Sequence, residues 1–196
     1  MPEPTQRIDA KRAALLVMDF QAGIIGALEH ADALVAKAAR AIQCMREHGG
    51  NVDYVRVGFT ESEYAAIPER NKGFSAAKGA GRAFHADAPA TAIDERLAPQ
   101  PGDIVVRKTR VGAFSTTDLA EQLCRRSIDT LILSGISTSG VVLSTVRDAA
   151  DRDFRLFVLA DACADPAPDV HVLLLEKVFP RQADVISTED LPLLLS

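Results

Sequence analysis

Cysteine is scarce in this chain: Cys44, Cys124 and Cys163 are odd in number, far apart and without C-x-x-C spacing. That excludes a disulfide framework, and the three read as reduced core residues of a cytoplasmic protein. The four histidines, His30, His48, His85 and His171, fall in no H-x-x-x-H pattern, so no metal site is expected. No apolar run is long enough to span a bilayer, and no charged segment followed by a short apolar one opens the chain. Lysine and arginine are scattered rather than striped over a chain of net charge -5, which argues against a nucleic-acid surface.

What is there is hydrocarbon. Hydrophobic residues make up 47% of 196 residues, ample for the core of one domain spanning 1–196. Six apolar, partly β-branched runs read as strands: 13–18, 52–57, 104–107, 131–134, 156–160 and 185–187. Helix-like stretches alternate with them, which predicts parallel pairing through right-handed crossovers and a three-layer α/β/α sandwich on a six-stranded parallel sheet. The first long helix is predicted over 32–48, closed by Gly49-Gly50, and Ser115 with Asp118 resembles a capping box before Leu119. Residues 59–90 break the alternation. A stretch that long without periodicity is a functional lid or hides a short helix, and Arg70, Asn71, Lys72, Phe74, Phe84 and His85 are its candidates for meeting a ligand.

Three places carry chemistry. Asp19 and Lys108 each close an apolar run, and the turn Gly135-Ile136-Ser137-Thr138-Ser139-Gly140-Val141 opens a helix. In open α/β sheets the crevice forms outside the carboxyl ends of the strands, which would bring a carboxylate, an ammonium and a helix N-terminus together. A carboxylate beside an ammonium is a proton-transfer couple, and the turn offers amides for an oxyanion. Taken singly, Asp19 also reads as a turn cap and Lys108 as a solvated residue after a strand. Ser137, Thr138, Ser139 and Ser144 offer hydroxyls, but no histidine lies near them in sequence to act as a base.

These residues resemble the motifs of the isochorismatase-like hydrolases, a superfamily that also holds nicotinamidases, N-carbamoylsarcosine amidases and other cysteine amidohydrolases. An apolar strand followed by D-x-Q matches Asp19-Phe20-Gln21; V-x-K with A-F and T-x-L matches Val106-Arg107-Lys108, Ala113-Phe114 and Thr117-Asp118-Leu119. G-x-x-T-x-x-C matches Gly135 and Thr138, but the nucleophilic cysteine falls on Val141. The resemblance implies catalytic Asp19 and Lys108, a non-proline cis peptide at Ile136-Ser137, and an oxyanion turn of Ile136, Ser137 and Val141. Gln21, Phe114, Phe74 and Phe84 are the substrate-binding candidates. Val141 closes the covalent thiolate route. Isochorismatases proper carry Gly there and use Asp as the proton donor to a vinyl ether, and the metal-ligand pattern of nicotinamidases is replaced by Gly58-Phe59-Thr60.

The expectation is therefore a cytoplasmic hydrolase without metal or cofactor, acting on a small anionic organic molecule by Asp19/Lys108 acid-base chemistry. Beside it stand a degenerate member that only binds a small molecule, and a C–N amidohydrolase with a non-standard nucleophile. A homodimer or homotetramer is implied, with residues 191–195 and 59–90 as candidate contacts; no membrane or nucleic-acid partner is expected.

Overall fold

The computed structural model describes residues 7–79 and 81–196. Strands β1 (Ala13–Met18), β2 (Asn51–Val57), β3 (Ile104–Lys108), β4 (Thr130–Ile136), β5 (Arg155–Ala164) and β6 (Asp184–Ile186) form one parallel sheet in the order β3-β2-β1-β4-β5-β6. Every residue of β1 is buried, as a central strand covered on both faces requires. Leu15 and Val17 pack in one layer with Val35, Ala38, Ile42 and Met45 of the helix Ala31–Glu47. Leu16 and Met18 pack in the other with Leu119, Leu123, Val142 and Val146. Full burial of such side chains contributes roughly 1.5–3 kcal/mol each, so the two layers hold the sheet ends in place.

The strand order reverses between β1 and β4. This is the switch point of a doubly wound sheet, where adjacent connections leave toward opposite faces and a crevice opens at the carboxyl ends. Gly135 permits the close approach there: a Cβ on it would lie 3.1 Å from Met18 Cβ, Met18 O and Val142 Cγ2.

Several expectations are refined. β3 runs on to include Lys108, because its pairing with Val57 continues the ladder. The helix Ala31–Glu47 ends as read, with Gly49 at φ 72° and the Gly50 amide donating to Met45 O at 2.8 Å. The capping box at Ser115 does not form: Thr116 turns the chain at φ 66°, and the Asp118 carboxylate accepts from Gln122 Nε2 instead. A true capping box sits earlier, where Thr60 and Glu63 open the helix Glu61–Ala65.

Residues 59–90 are not structureless. They hold that helix, a second at Lys72–Gly79 and short 3-10 turns at Gly81–Phe84 and Pro89–Thr91. Arg107 on β3 fastens the first helix, donating to Glu63 Oε2 and Oε1 at 2.7 and 3.1 Å and to Gly58 O at 2.7 Å. Arg56 donates to Ala86 O at 2.9 Å. The segment is thus strapped to the sheet ends, with Phe59, Phe74 and Phe84 held over the crevice.

The carboxyl-terminal run packs for the most part against the rest of the chain. Leu191 and Leu195 are buried, Ile8 N donates to Leu194 O and Ser196 N to Ile8 O, and only Leu193 stands out at 78% exposure. The tail packs on its own core because Ile8 supplies a backbone edge beside it. Of the three cysteines, Cys44 and Cys163 are buried as expected, but Cys124 is exposed on the outer side of the helix Leu119–Arg125. Among the described residues no helix is long and apolar enough to cross a membrane.

Candidate active site

Asp19 follows β1 in a left-handed conformation, φ 60°, which aspartate tolerates better than most residues. Its amide donates to Val55 O and its carbonyl accepts from Gln21 N, both at 2.8 Å, so the backbone fixes the side chain's direction. Lys108 ends β3, on the far side of β2 and about 10 Å away at ordinary strand spacing. Both side chains reach over the end of β2. They meet with Lys108 Nζ 2.8 Å from Asp19 Oδ2, at 3% and 7% side-chain exposure. The ammonium also donates to Arg110 O at 3.2 Å. Among the described residues Asp19 Oδ1 has no hydrogen-bond partner. Burial pushes the Asp19 carboxyl up to about 6, against the charge and hydrogen bond of Lys108, which pull it down.

A raised carboxyl is not in itself a site. Burial also pushes Asp53 up to about 6, with the Ile104 amide and Arg126 opposing. Asp53 sits at the other end of the sheet, where Oδ1 accepts from Ile104 N at 2.9 Å and ties β2 to the start of β3. What distinguishes Asp19 is the space in front of it.

That space is a cavity of about 490 Å³, lined by Asp19, Lys108, Val57, Phe59, Gly73, Phe74, Phe84, Val111, Ile136, Ser137, Gly140 and Val141. Apart from the ion pair and Ser137, the side chains in this wall are hydrocarbon. Phe59 and Phe74 meet edge to face with centroids 5.8 Å apart, and the Arg110 guanidinium lies 5.7 Å over the Phe74 ring.

The floor is the turn after β4. The Ile136–Ser137 peptide is cis, and residues Thr138–Val142 form a wide π-type turn closed by Val142 N donating to Ser137 O at 3.2 Å. Gly140 N donates to the same oxygen, and Ser139 N donates to Asp165 Oδ2 at 2.7 Å. The turn therefore offers fewer amides than its sequence promised. A Cβ on Gly140 would sit 2.6 Å from Ser137 Oγ, so any side chain there would force that hydroxyl to turn away. Val141 faces the cavity at 2% exposure.

The structure brings together Asp19, Lys108, Ile136, Ser137, Val141, Phe74 and Phe84 around one cavity. It does not bring in Gln21 or Phe114. The Gln21 side chain is fully occupied as a backbone clasp, donating to Val57 O and Thr91 O and accepting from Val57 N, each at 2.8 Å. Phe114 stacks on Phe154 beneath Arg152, inside the other helical layer. Arg70, Asn71, Lys72 and His85 are also outside the lining; Asn71 Oδ1 instead accepts from Phe74 N at 3.1 Å and so helps seat that ring. Sequence reasoning missed Val57, Phe59 and Val111, for which no motif exists. It also missed that His171 Nδ1 lies 2.7 Å from Thr138 Oγ1, a contact spanning 33 residues of chain.

The isochorismatase domain family matches residues 13–190. An isochorismatase family protein of Bacillus subtilis is 33% identical over 186 residues, covering 95% of each chain. Maleamate amidohydrolase of Pseudomonas putida is 30% identical over 193 residues, covering 94% of this chain and 88% of its own. An isochorismatase family structure from Burkholderia thailandensis superposes with a TM-score of 0.82 at 27% identity, covering 96% of this chain and 98% of that one. The chain belongs to the isochorismatase family of hydrolases, which includes amidohydrolases, and has its fold.

Proposed function

We propose that this isochorismatase-family chain is a hydrolase that works without a covalent nucleophile, Asp19 moving the proton and Lys108 holding it in place. The single observation that carries this reading is the buried Asp19–Lys108 pair, with Oδ1 unpartnered and a largely hydrocarbon cavity before it. Val141 stands where the family's thiol is expected by motif, and a hydrocarbon there neither attacks nor leaves. In this reading the protonated Asp19 gives its proton to the alkene carbon of a vinyl ether, a water adds to the oxocarbenium carbon so formed and returns its proton to the carboxylate, and the resulting hemiketal collapses with cleavage of the C–O bond to a carbonyl compound and an alcohol. With a carboxyl near 6, roughly a tenth of molecules carry the proton at pH 7.

The cavity bears on the substrate. Among the described residues Lys108 is the only cation in its wall, and it is already paired. A small molecule with an apolar body and at most one negative charge fits this better than a dicarboxylate, whose second charge would have no partner in hydrocarbon. We place the charged or polar end against Lys108 and the body among Phe59, Phe74 and Phe84.

A second reading rests on the likeness to maleamate amidohydrolase: the ionised Asp19 takes a proton from water, which attacks an amide carbonyl. The pH–rate profile separates the two. If Asp19 is the acid, kcat/KM is level below pH about 6 and falls tenfold per unit above it. If it is the base, the rate climbs up to about 6 and levels above it. A profile without a break between pH 5 and 7 would count against both. A third reading, of a chain that binds without turnover, is favoured by Val141 alone; saturable binding of small amides and vinyl ethers with no product formed would establish it.

A further inference from the structure

We propose that Asp165 and His171 are positioning residues of this cavity, holding its floor from behind through Ser139 and Thr138. The inference rests on the turn being the wall of a working site, and not on which chemistry runs there. β5 pairs with β4 up to Ala164 beside Ile136, so the chain leaving β5 passes directly alongside the turn. From that connection Asp165 Oδ2 accepts from Ser139 N at 2.7 Å, while Oδ1 accepts from Ala167 N at 3.1 Å and fixes the carboxylate's aim. One step on, His171 in the helix Pro168–Leu173 meets the Thr138 hydroxyl at 2.7 Å. Two consecutive residues of a five-residue turn are thus tied to two side chains of one connection, and Ser137, Gly140 and Val141 stay free to face the cavity.

A hydroxyl, an imidazole and a carboxylate so close together invite comparison with a nucleophile, base and orienter. The arrangement is not that. Thr138 is fully buried and outside the cavity wall, and Asp165 spends both oxygens on backbone amides rather than on the imidazole. Burial lowers the His171 pKa, with Asp165 opposing, and the tautomer of the ring decides whether Nδ1 or the Thr138 hydroxyl is the donor in their contact. The pair is a fastening, and a fastening has measurable consequences, because a displacement of about 1 Å at a reacting centre can cost on the order of 10²-fold in rate.

The test is amide hydrogen exchange of residues 137–142 in the wild type, H171A, H171N, T138V, D165A and the H171A/T138V double variant, with kcat and KM measured alongside. Asparagine places its amide oxygen near the position of Nδ1 and should rescue. We expect exchange in the turn to quicken at least about tenfold in H171A, T138V and D165A. Exchange in the helix Ala31–Glu47 should not change, and H171N should stay near the wild type. The double variant should be no worse than either single, since both remove one contact. Where turnover is seen, the loss should fall on kcat more than on KM and be recovered in H171N. Unchanged turn exchange, acceleration shared with the whole molecule, or additive losses in the double variant would overturn the proposal. Absence of turnover in every form, wild type included, would sink the hydrolase reading while the exchange data still decide this one.

Discussion

Asp19→Asn should lower turnover by about 10²–10⁴-fold, the usual contribution of a positioned acid or base. The asparagine still accepts a hydrogen bond from Lys108 but neither carries nor releases a proton at these pH values. Stability should also fall, because the substitution leaves an ammonium at 3% exposure without its counter-charge. Breaking a buried pair from one side typically costs about 3–5 kcal/mol. Lys108→Met should cost less, since a lone buried Asp19 can take up a proton and become neutral. The double variant Asp19→Asn/Lys108→Met should be more stable than Asp19→Asn alone, and no less active than the worse single. Urea melts and steady-state rates on the four proteins check this. Additive rate losses, or a double variant less stable than Asp19→Asn, would mean that the two side chains do not act as one unit.

Val141→Cys should create a thiol far more reactive than those the chain already has. It would stand in the turn leading into the helix Leu143–Ala150, in a cavity that holds an ammonium. Both favour a thiolate, and cysteines in such settings have pKa values of about 3.5–7.5. Cys44 and Cys163 are poor competitors: both are buried, and burial pushes the Cys163 thiol up to about 12. Cys124 is exposed and has to be replaced by serine first. In that background, alkylation by iodoacetamide at pH 7 should go mainly to the new thiol, as peptide mass analysis would reveal. A thiol no faster than Cys44 would show that the cavity does not activate a nucleophile at this position.

Most of the fold was legible because its signals are local and repeated. Six apolar runs, most of them followed by a helical stripe, leave few arrangements other than a parallel sheet with helices on both faces, whereas the strand order that sets the β1–β4 switch point comes from the structure. Asp19, Lys108 and the turn were legible for the same reason: each punctuates a strand end, and strand ends of a parallel sheet lie on one side. Gln21 and Phe114 misled because a motif position says that a residue matters and not what it touches; one clasps backbone and the other fills a core. Residues 59–90 were opaque because their order comes from long-range straps, Arg107 to Glu63 and Arg56 to Ala86, rather than from periodicity. The Thr60/Glu63 capping box and the Asn71 side chain that caps Phe74 N were local signals there that would have revealed the two helices. No local signal joins Thr138 to His171, since the sheet alone brings them within 2.7 Å.

The most direct test of the central claim is turnover by a chain with no thiol at all: Cys44→Ala, Cys124→Ser and Cys163→Ala combined, assayed on a panel of small primary amides and vinyl ethers. With Asp19 and Lys108 carrying the chemistry, this variant should match the wild-type kcat/KM within about threefold, the scatter expected of substitutions away from the reacting atoms. Adding Asp19→Asn should then lower what remains by about 10²–10⁴-fold. Loss of turnover in the thiol-free chain while its fold is intact, or turnover undiminished by Asp19→Asn, would contradict the account.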